Sequence, residues 1–163
     1  MIHCLKFNPN FQDKLDAFFK KVFRSNGFIY DPDRKHNDLR NINTVFVDSG
    51  GGFWFLIKDN EIIGTAGLKI TDNIKKIGEL KCMYILPDFQ GQGFGQLLIE
   101  KILTESKQIK LKYIRLDVKI NADKAIRLYR KNGFYDIQRY NDNKNDVIFM
   151  EKDLKNYGIQ HRI

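Results

Sequence analysis

The chain has 163 residues, 42% of them apolar and 29% charged, which excludes a disordered polymer and supplies enough apolar mass for a packed core. Its formal net charge of +8 suits a lysine-rich solvated surface or attraction to phosphate, on a coenzyme or a nucleic acid. No apolar run approaches the roughly 20 residues of a membrane helix, so no membrane-spanning helix is expected.

The first residues, MIHCLKFNPNFQDKLDAFF, lack the basic start, apolar stretch and cleavage site of a secretory leader. Cys4 and Cys82 form no CxxC pair, and His3, His36 and His161 are scattered. A reduced cytoplasmic protein without a metal site is therefore expected. Residues 9–25 place Leu15, Phe18, Phe19, Val22 and Phe23 at helical spacing, and Asn26-Gly27 ends that helix. Residues 28–43 are polar and read as a loop with a short helix near Asp38–Ile42. After Gly50-Gly51-Gly52, residues 53–59 and 62–70 read as strands joined by a turn at Asn60-Glu61, with small residues in the second where a neighbour can pack close. Residues 77–86 form a strand entering Pro87, and residues 93–107 a helix. Residues 112–118 form a strand, residues 122–133 a helix closed by Gly133, and residues 134–140 and 146–154 a closing hairpin. Strands 62–70 and 77–86 should pair antiparallel. Strand 112–118, returning through a helix, should run parallel to 77–86. One domain over residues 1–163 is expected, of α+β class.

The segment from Pro87 to Gln96 (PDFQGQGFGQ) lies between a strand and a helix. A glycine-rich turn there aims several backbone N–H groups at one anion, and the helix N-terminus adds partial positive charge. The dinucleotide fingerprint G-x-G-x-x-G fails, because its third glycine would fall on Gln96 or Leu98. A Walker A loop fails for want of Gly-Lys-Ser/Thr.

Gln90-x-x-Gly93-x-Gly95, within ELKCMYILPDFQGQGFGQLL, resembles the Gln/Arg-x-x-Gly-x-Gly/Ala loop of the GNAT superfamily of N-acetyltransferases, together with its fourth strand and third helix. A second block, LDVKINADKAIRLYRKNGF (116–134), resembles the family's asparagine–tyrosine–Gly-Phe segment. The likeness covers roughly residues 50–155 and is weaker before Gly50. It implies a mixed, mostly antiparallel sheet flanked by helices, with the fourth and fifth strands parallel and splayed. It also implies acetyl-CoA as cosubstrate, with Gln90, Gly91, Gln92, Gly93, Phe94, Gly95 and Gln96 cradling its pyrophosphate. The pantetheine arm would pair with the main chain of Met83 and Ile85, the Met83 N–H holding the developing oxyanion. A β-bulge can open the strands to admit that arm.

By the same resemblance Tyr129 is the general acid for the thiolate, Asn121 touches the cofactor arm and Lys124 meets a phosphate. Read from the residues alone, Tyr129 is a core tyrosine, Asn121 the N-cap of helix 122–132 and Lys124 a solvated lysine. Glu79, eleven residues before Gln90, is the candidate base or amine binder, or else a strand-surface carboxylate paired to a lysine. Tyr84 points away from Met83 and Ile85, and Trp54 and Phe55 point to opposite faces. Tyr30, Asp33, His36 and Asp38 are candidate acceptor contacts, with His36 an alternative base. The function expected is acetyl transfer to a primary amine of a small molecule by direct attack. A protein lysine or N-terminus is the alternative acceptor, and a non-catalytic acyl-CoA-binding module a third reading. No nucleic-acid or membrane partner is expected, and the state is monomer or homodimer.

Overall fold

The structure, a computed structural model, describes residues 1–155; His161 lies outside the described residues. Seven strands form one sheet: β1 (Ile2–Lys6), β2 (Gly52–Lys58), β3 (Glu61–Asp72), β4 (Ile77–Ile85), β5 (Tyr113–Lys119), β6 (Tyr135–Ile137) and β7 (Val147–Asp153). Their spatial order is β1-β2-β3-β4-β5-β7-β6. Every neighbouring pair is antiparallel except β4 and β5, as the sequence leads one to expect. The helices are α1 (Gln12–Ser25), α2 (Phe94–Gln108) and α3 (Asp123–Lys131).

Two apolar layers sandwich the sheet. The apolar stripe of α1 covers one face, where Leu15, Phe19 and Phe23 pack with Phe46, Phe53 and Phe55. The other face carries Leu98, Ile99 and Ile102 of α2 and Ile126 and Tyr129 of α3, against Trp54, Leu56 and Leu80. Trp54 and Phe55 do point to opposite faces, and both serve the core.

Three readings need correction. Residues 2–6 form an edge strand, where the sequence suggested none. The stretch Asn37–Leu39 makes only a 3-10 turn, followed by a π-helical turn at Asn43–Val47. The strand expected over 134–140 ends at Ile137, so Arg139 and Tyr140 leave the sheet.

The feature that positions the site lies in β4. Its pairing with β3 slips between Thr65↔Tyr84 and Gly67↔Lys81, and Cys82 there adopts φ 56°. A left-handed residue inserted in a strand makes a β-bulge and reverses the alternation of side chains beyond it. Leu80 consequently shares a face with Met83 and Ile85, while Cys82 and Tyr84 face α1. The hydroxyl of Thr65, fully buried, donates to the Cys82 carbonyl at 2.8 Å and holds the bulge. Thr65→Val should cost about 1–3 kcal/mol by leaving that carbonyl unpaired. The thermal midpoint should fall by about 2–4 °C for each kcal/mol, and a calorimetric scan reads it.

Candidate active site

β4 and β5 share only the rungs Ile77↔Tyr113, Gly78↔Ile114 and Glu79↔Arg115. From Leu80 onward the bulged strand diverges, and among the described residues its edge on the β5 side has no strand partner. A cleft of about 1220 Å³ fills the gap. It brings together four of the residues singled out from sequence: Glu79, Met83, Asn121 and Tyr129. His36 and Asp38 form part of its opposite wall, whereas Tyr30 and Asp33 do not line it. Ile85, Lys124 and Gln90 to Gln96 also lie outside its lining.

The glycine loop follows β4 through a 3-10 turn at Pro87–Phe89. Gly91 and Gly93 have φ values of 74° and 87°, which β-carbons resist, and a Cβ on either would meet no atom within 4 Å. Gly95 has a different reason to be small: its Cβ would lie 3.0 Å from Leu128 Cδ2, where α2 and α3 approach. Among the described residues, the N–H groups of Gly91, Gln92, Gly93, Phe94, Gly95 and Gln96 donate to no acceptor. Six consecutive free donors, half of them the orphaned N–H groups of a helix start, beside the open space at Gly91 and Gly93 suit an anion such as a pyrophosphate. The Gln96 side chain is engaged elsewhere. It exchanges two hydrogen bonds with Asn132, at 2.9 and 2.8 Å, and so ties the start of α2 to the end of α3.

Tyr129 is 6% exposed, edge-on to Phe134 at 5.8 Å, on the α3 face toward the cleft. Its hydroxyl donates to no other described residue. Burial, then the charge of Asp117, pushes its pKa above the ordinary tyrosine value. Asn121 is not the cap of α3: that position falls on Ala122, without a side-chain bond, and Asn121 projects at the cleft rim. Lys124 is exposed.

Glu79 sits at the last parallel rung and is 8% exposed. Tyr140 Oη donates to its Oε2 at 2.7 Å, and Lys81 Nζ lies 3.6 Å from its Oε1. Burial opposes the charge of Lys81, but Glu79, with Cys82, Asp38 and Asp117, outweighs it and raises the lysine pKa. Arg115 is held by Glu151, Nε to Oε2 at 2.8 Å. The His36 ring stacks on Phe23 at 4.3 Å, and its Nδ1 accepts the Asp31 N–H at 2.8 Å. That bond occupies the Nδ1 lone pair and, with the stacking, fixes His36 as part of the cleft wall. Sequence reading missed Tyr140. It falls where a strand was expected, and its partner lies 61 residues away in sequence.

A splayed parallel pair, a β-bulge and a glycine loop of free N–H groups define an acyl-CoA-type transferase fold. The sequence pattern of the acetyltransferase (GNAT) family matches residues 13–134, and the chain belongs to that family. The family uses acetyl-CoA. Over 147 residues the chain is 27% identical to an IAA acetyltransferase of Azospirillum brasilense, covering 88% of this chain and 92% of that one. Over 82 residues, half of this chain, it is 35% identical to the [ribosomal protein bS18]-alanine N-acetyltransferase of Haemophilus influenzae, spanning 53% of that protein's length. It is likewise 35% identical over 82 residues, 49% of this chain, to an uncharacterized N-acetyltransferase of Dictyostelium discoideum, spanning 38% of its length. An acetyltransferase of the GNAT family from Staphylococcus aureus superposes with a TM-score of 0.83 at 25% identity, over 94% of this chain and 99% of that one. Among the described residues no helix is long and apolar enough to cross a membrane.

Proposed function

We propose that this chain transfers the acetyl group of acetyl-CoA to a primary amine of a small molecule by direct attack. The observation that carries the choice of acceptor is the arrangement of carboxylates in the cleft. Glu79 from β4, Asp117 from β5 and Asp38 from the α1–β2 segment line it from different elements. Of the cations that also line it, Lys81 pairs with Glu79, Arg115 with Glu151 and Lys119 lies over the Phe28 ring, while Lys75 stands farther along the same lining. Such a cleft draws in an ammonium group.

The free N–H groups of Gly91 to Gln96 hold the pyrophosphate, and the exposed Lys124 is placed to add charge near phosphate. The unpaired edge of β4, at Met83 and Ile85, takes the pantetheine arm as an added strand. The Met83 N–H polarises the thioester carbonyl, and Asn121 touches the arm at the rim. The acceptor amine must lose a proton before it attacks, because alkyl ammonium groups have pKa values near about 10. Glu79 accepts that proton through water. Tyr129 gives its proton to the departing sulfur.

An α-amine at a protein N-terminus is the second reading, favoured by the 35% identity to the bS18-alanine enzyme. Thiol release from acetyl-CoA is measured against spermidine, alanine, glucosamine and an alanine-terminated peptide, on wild type and Glu79→Gln. Turnover of one of the first three, lowered about 100-fold in the variant, is the expected result. Turnover of the peptide alone moves the acceptor to proteins. No release with any of them overturns the reading.

A further inference from the structure

We propose that Tyr140 is a positioning residue for Glu79, a role that rests on Glu79 being the proton acceptor. Tyr140 lies on the segment between β6 and β7, outside every motif that marks the family in this chain. It reaches back across β7 and β5 so that its Oη donates to Glu79 Oε2 at 2.7 Å. The ring is gripped on two sides. Phe149 of β7 meets it edge-on at 5.3 Å, and the Arg115 guanidinium of β5 lies 5.3 Å from its centroid. The segment itself is pinned beside it. Asn141 Nδ2 donates to Asp117 Oδ2 at 2.8 Å, the Asn143 N–H donates to Asn141 Oδ1 at 2.9 Å, and Arg139 lies over the Phe149 ring at 5.1 Å.

The two oxygens of Glu79 therefore have different surroundings. Oε2 is taken by a short hydrogen bond. Oε1 faces Lys81 at 3.6 Å, an ion-pair distance but too long for a hydrogen bond. The carboxylate is thus held just out of full contact with the lysine, and Oε1 keeps a lone pair for a proton arriving through water. Without the Tyr140 bond, rotation about the Glu79 side chain closes that gap, and a directly bonded ammonium would then compete with the water relay. The phenol suits the task because it stays a donor: burial, then the charge and hydrogen bond of Glu79, with Asp117, raise its pKa, and Arg115 only partly offsets them. The other charged groups lining the cleft are Asp38 from the α1–β2 segment, Asp72 at the end of β3, Lys75 just after it, Asp117 and Lys119 from β5 and Asp142 beyond Tyr140, with the His36 ring on the far wall.

The test is Tyr140→Phe, which keeps the ring between Phe149 and Arg115 and removes only the donor. A misplaced proton acceptor forfeits part of the roughly 10²–10⁴-fold that general base catalysis supplies, so kcat with the fastest amine of the panel should fall about tenfold or more. The KM for acetyl-CoA should not change, and the acid limb of kcat/KM against pH should move to lower pH, because Glu79 exchanges a neutral phenol for direct contact with the Lys81 ammonium, which favours the charged carboxylate more strongly. The thermal midpoint, read in parallel, should stay within about 2–4 °C, the shift expected for about 1 kcal/mol. A purely structural tyrosine would lower the midpoint and leave the pH profile in place. In a Glu79→Gln background Tyr140→Phe should cost nothing further. Full activity in Tyr140→Phe beside a crippled Glu79→Gln overturns the positioning role alone, as does a loss that adds to that of Glu79→Gln. Full activity in Glu79→Gln overturns the role of Glu79 and this one with it.

Discussion

Tyr129→Phe is expected to lower kcat about 100-fold near neutral pH while leaving the KM for acetyl-CoA within about twofold. The residue sits at the cleft with a hydroxyl that donates to no other described residue, 6% exposed and set against Phe134. Deleting that hydroxyl breaks no bond of the fold, so the thermal midpoint should hold. The effect falls instead on the departing sulfur. An alkyl thiol has a pKa near about 8.5, so at pH 7 a thiolate leaves more readily when a proton is supplied to it. Above that range the thiolate departs unaided, and the deficit of the variant should shrink as pH rises. The wild type should show the opposite lack of response. Burial, then Asp117, holds the Tyr129 proton past the ordinary tyrosine value. The acid therefore stays loaded up to at least about pH 10. A pH series of kcat on both proteins, with thiol release as the readout, checks both halves. A variant with wild-type kcat at pH 7 would reduce Tyr129 to a packing residue.

Tyr129 was legible because it stands in a block with a recognisable pattern and because its helix has a clear inward stripe. The glycine loop was legible for a similar reason: free N–H groups need glycine at left-handed φ, and glycine is visible in a sequence. The bulge was foreseen as a device, but its place was not. Cys82 at φ 56° is neither glycine nor asparagine, and what fixes it is cross-strand register with Thr65 and Gly67. The parallel pairing of β4 and β5 followed from the helix between them. The edge strand β1 was missed because its five residues are only partly covered on either side and show no clean alternation. The partners of Glu79 escaped for a further reason. Tyr140 reaches it only because the chain leaves the sheet after Ile137 and folds the Asn/Asp-rich segment over β5 and β7. Nothing local to either residue encodes a contact 61 positions apart. Family motifs thus pointed to the glycine loop and to Tyr129 on α3, while the wall around Glu79 depends on loops whose placement is decided by tertiary contacts.

The glycine loop yields the second large effect. Gly93→Val should weaken coenzyme A binding about 100-fold or more, measured by calorimetry with coenzyme A itself. The substitution has two effects. At φ 87° a β-branched residue is strained, at a cost of about 1–2 kcal/mol. The new side chain also enters the open space beside the six free N–H groups, where a Cβ meets no protein atom within 4 Å. The protein interior thus does not object to the added atoms; the ligand does. A hundredfold loss corresponds to about 2.7 kcal/mol; the strain is present with and without ligand and falls on stability, so the lost affinity measures obstruction of the anion. Gly95→Ala separates the two kinds of glycine. Its Cβ would press on Leu128 Cδ2 at 3.0 Å, inside the protein and away from the anion. That variant should lower the thermal midpoint by a few degrees, on the order of 1 kcal/mol of overpacking, and leave coenzyme A affinity within about threefold, well under 1 kcal/mol. If Gly93→Val bound coenzyme A as tightly as wild type, the loop would be a strand-to-helix turn and no phosphate cradle. If Gly95→Ala abolished binding without lowering the midpoint, the ligand would lie against the Gly95 Cα itself and not only within reach of its N–H.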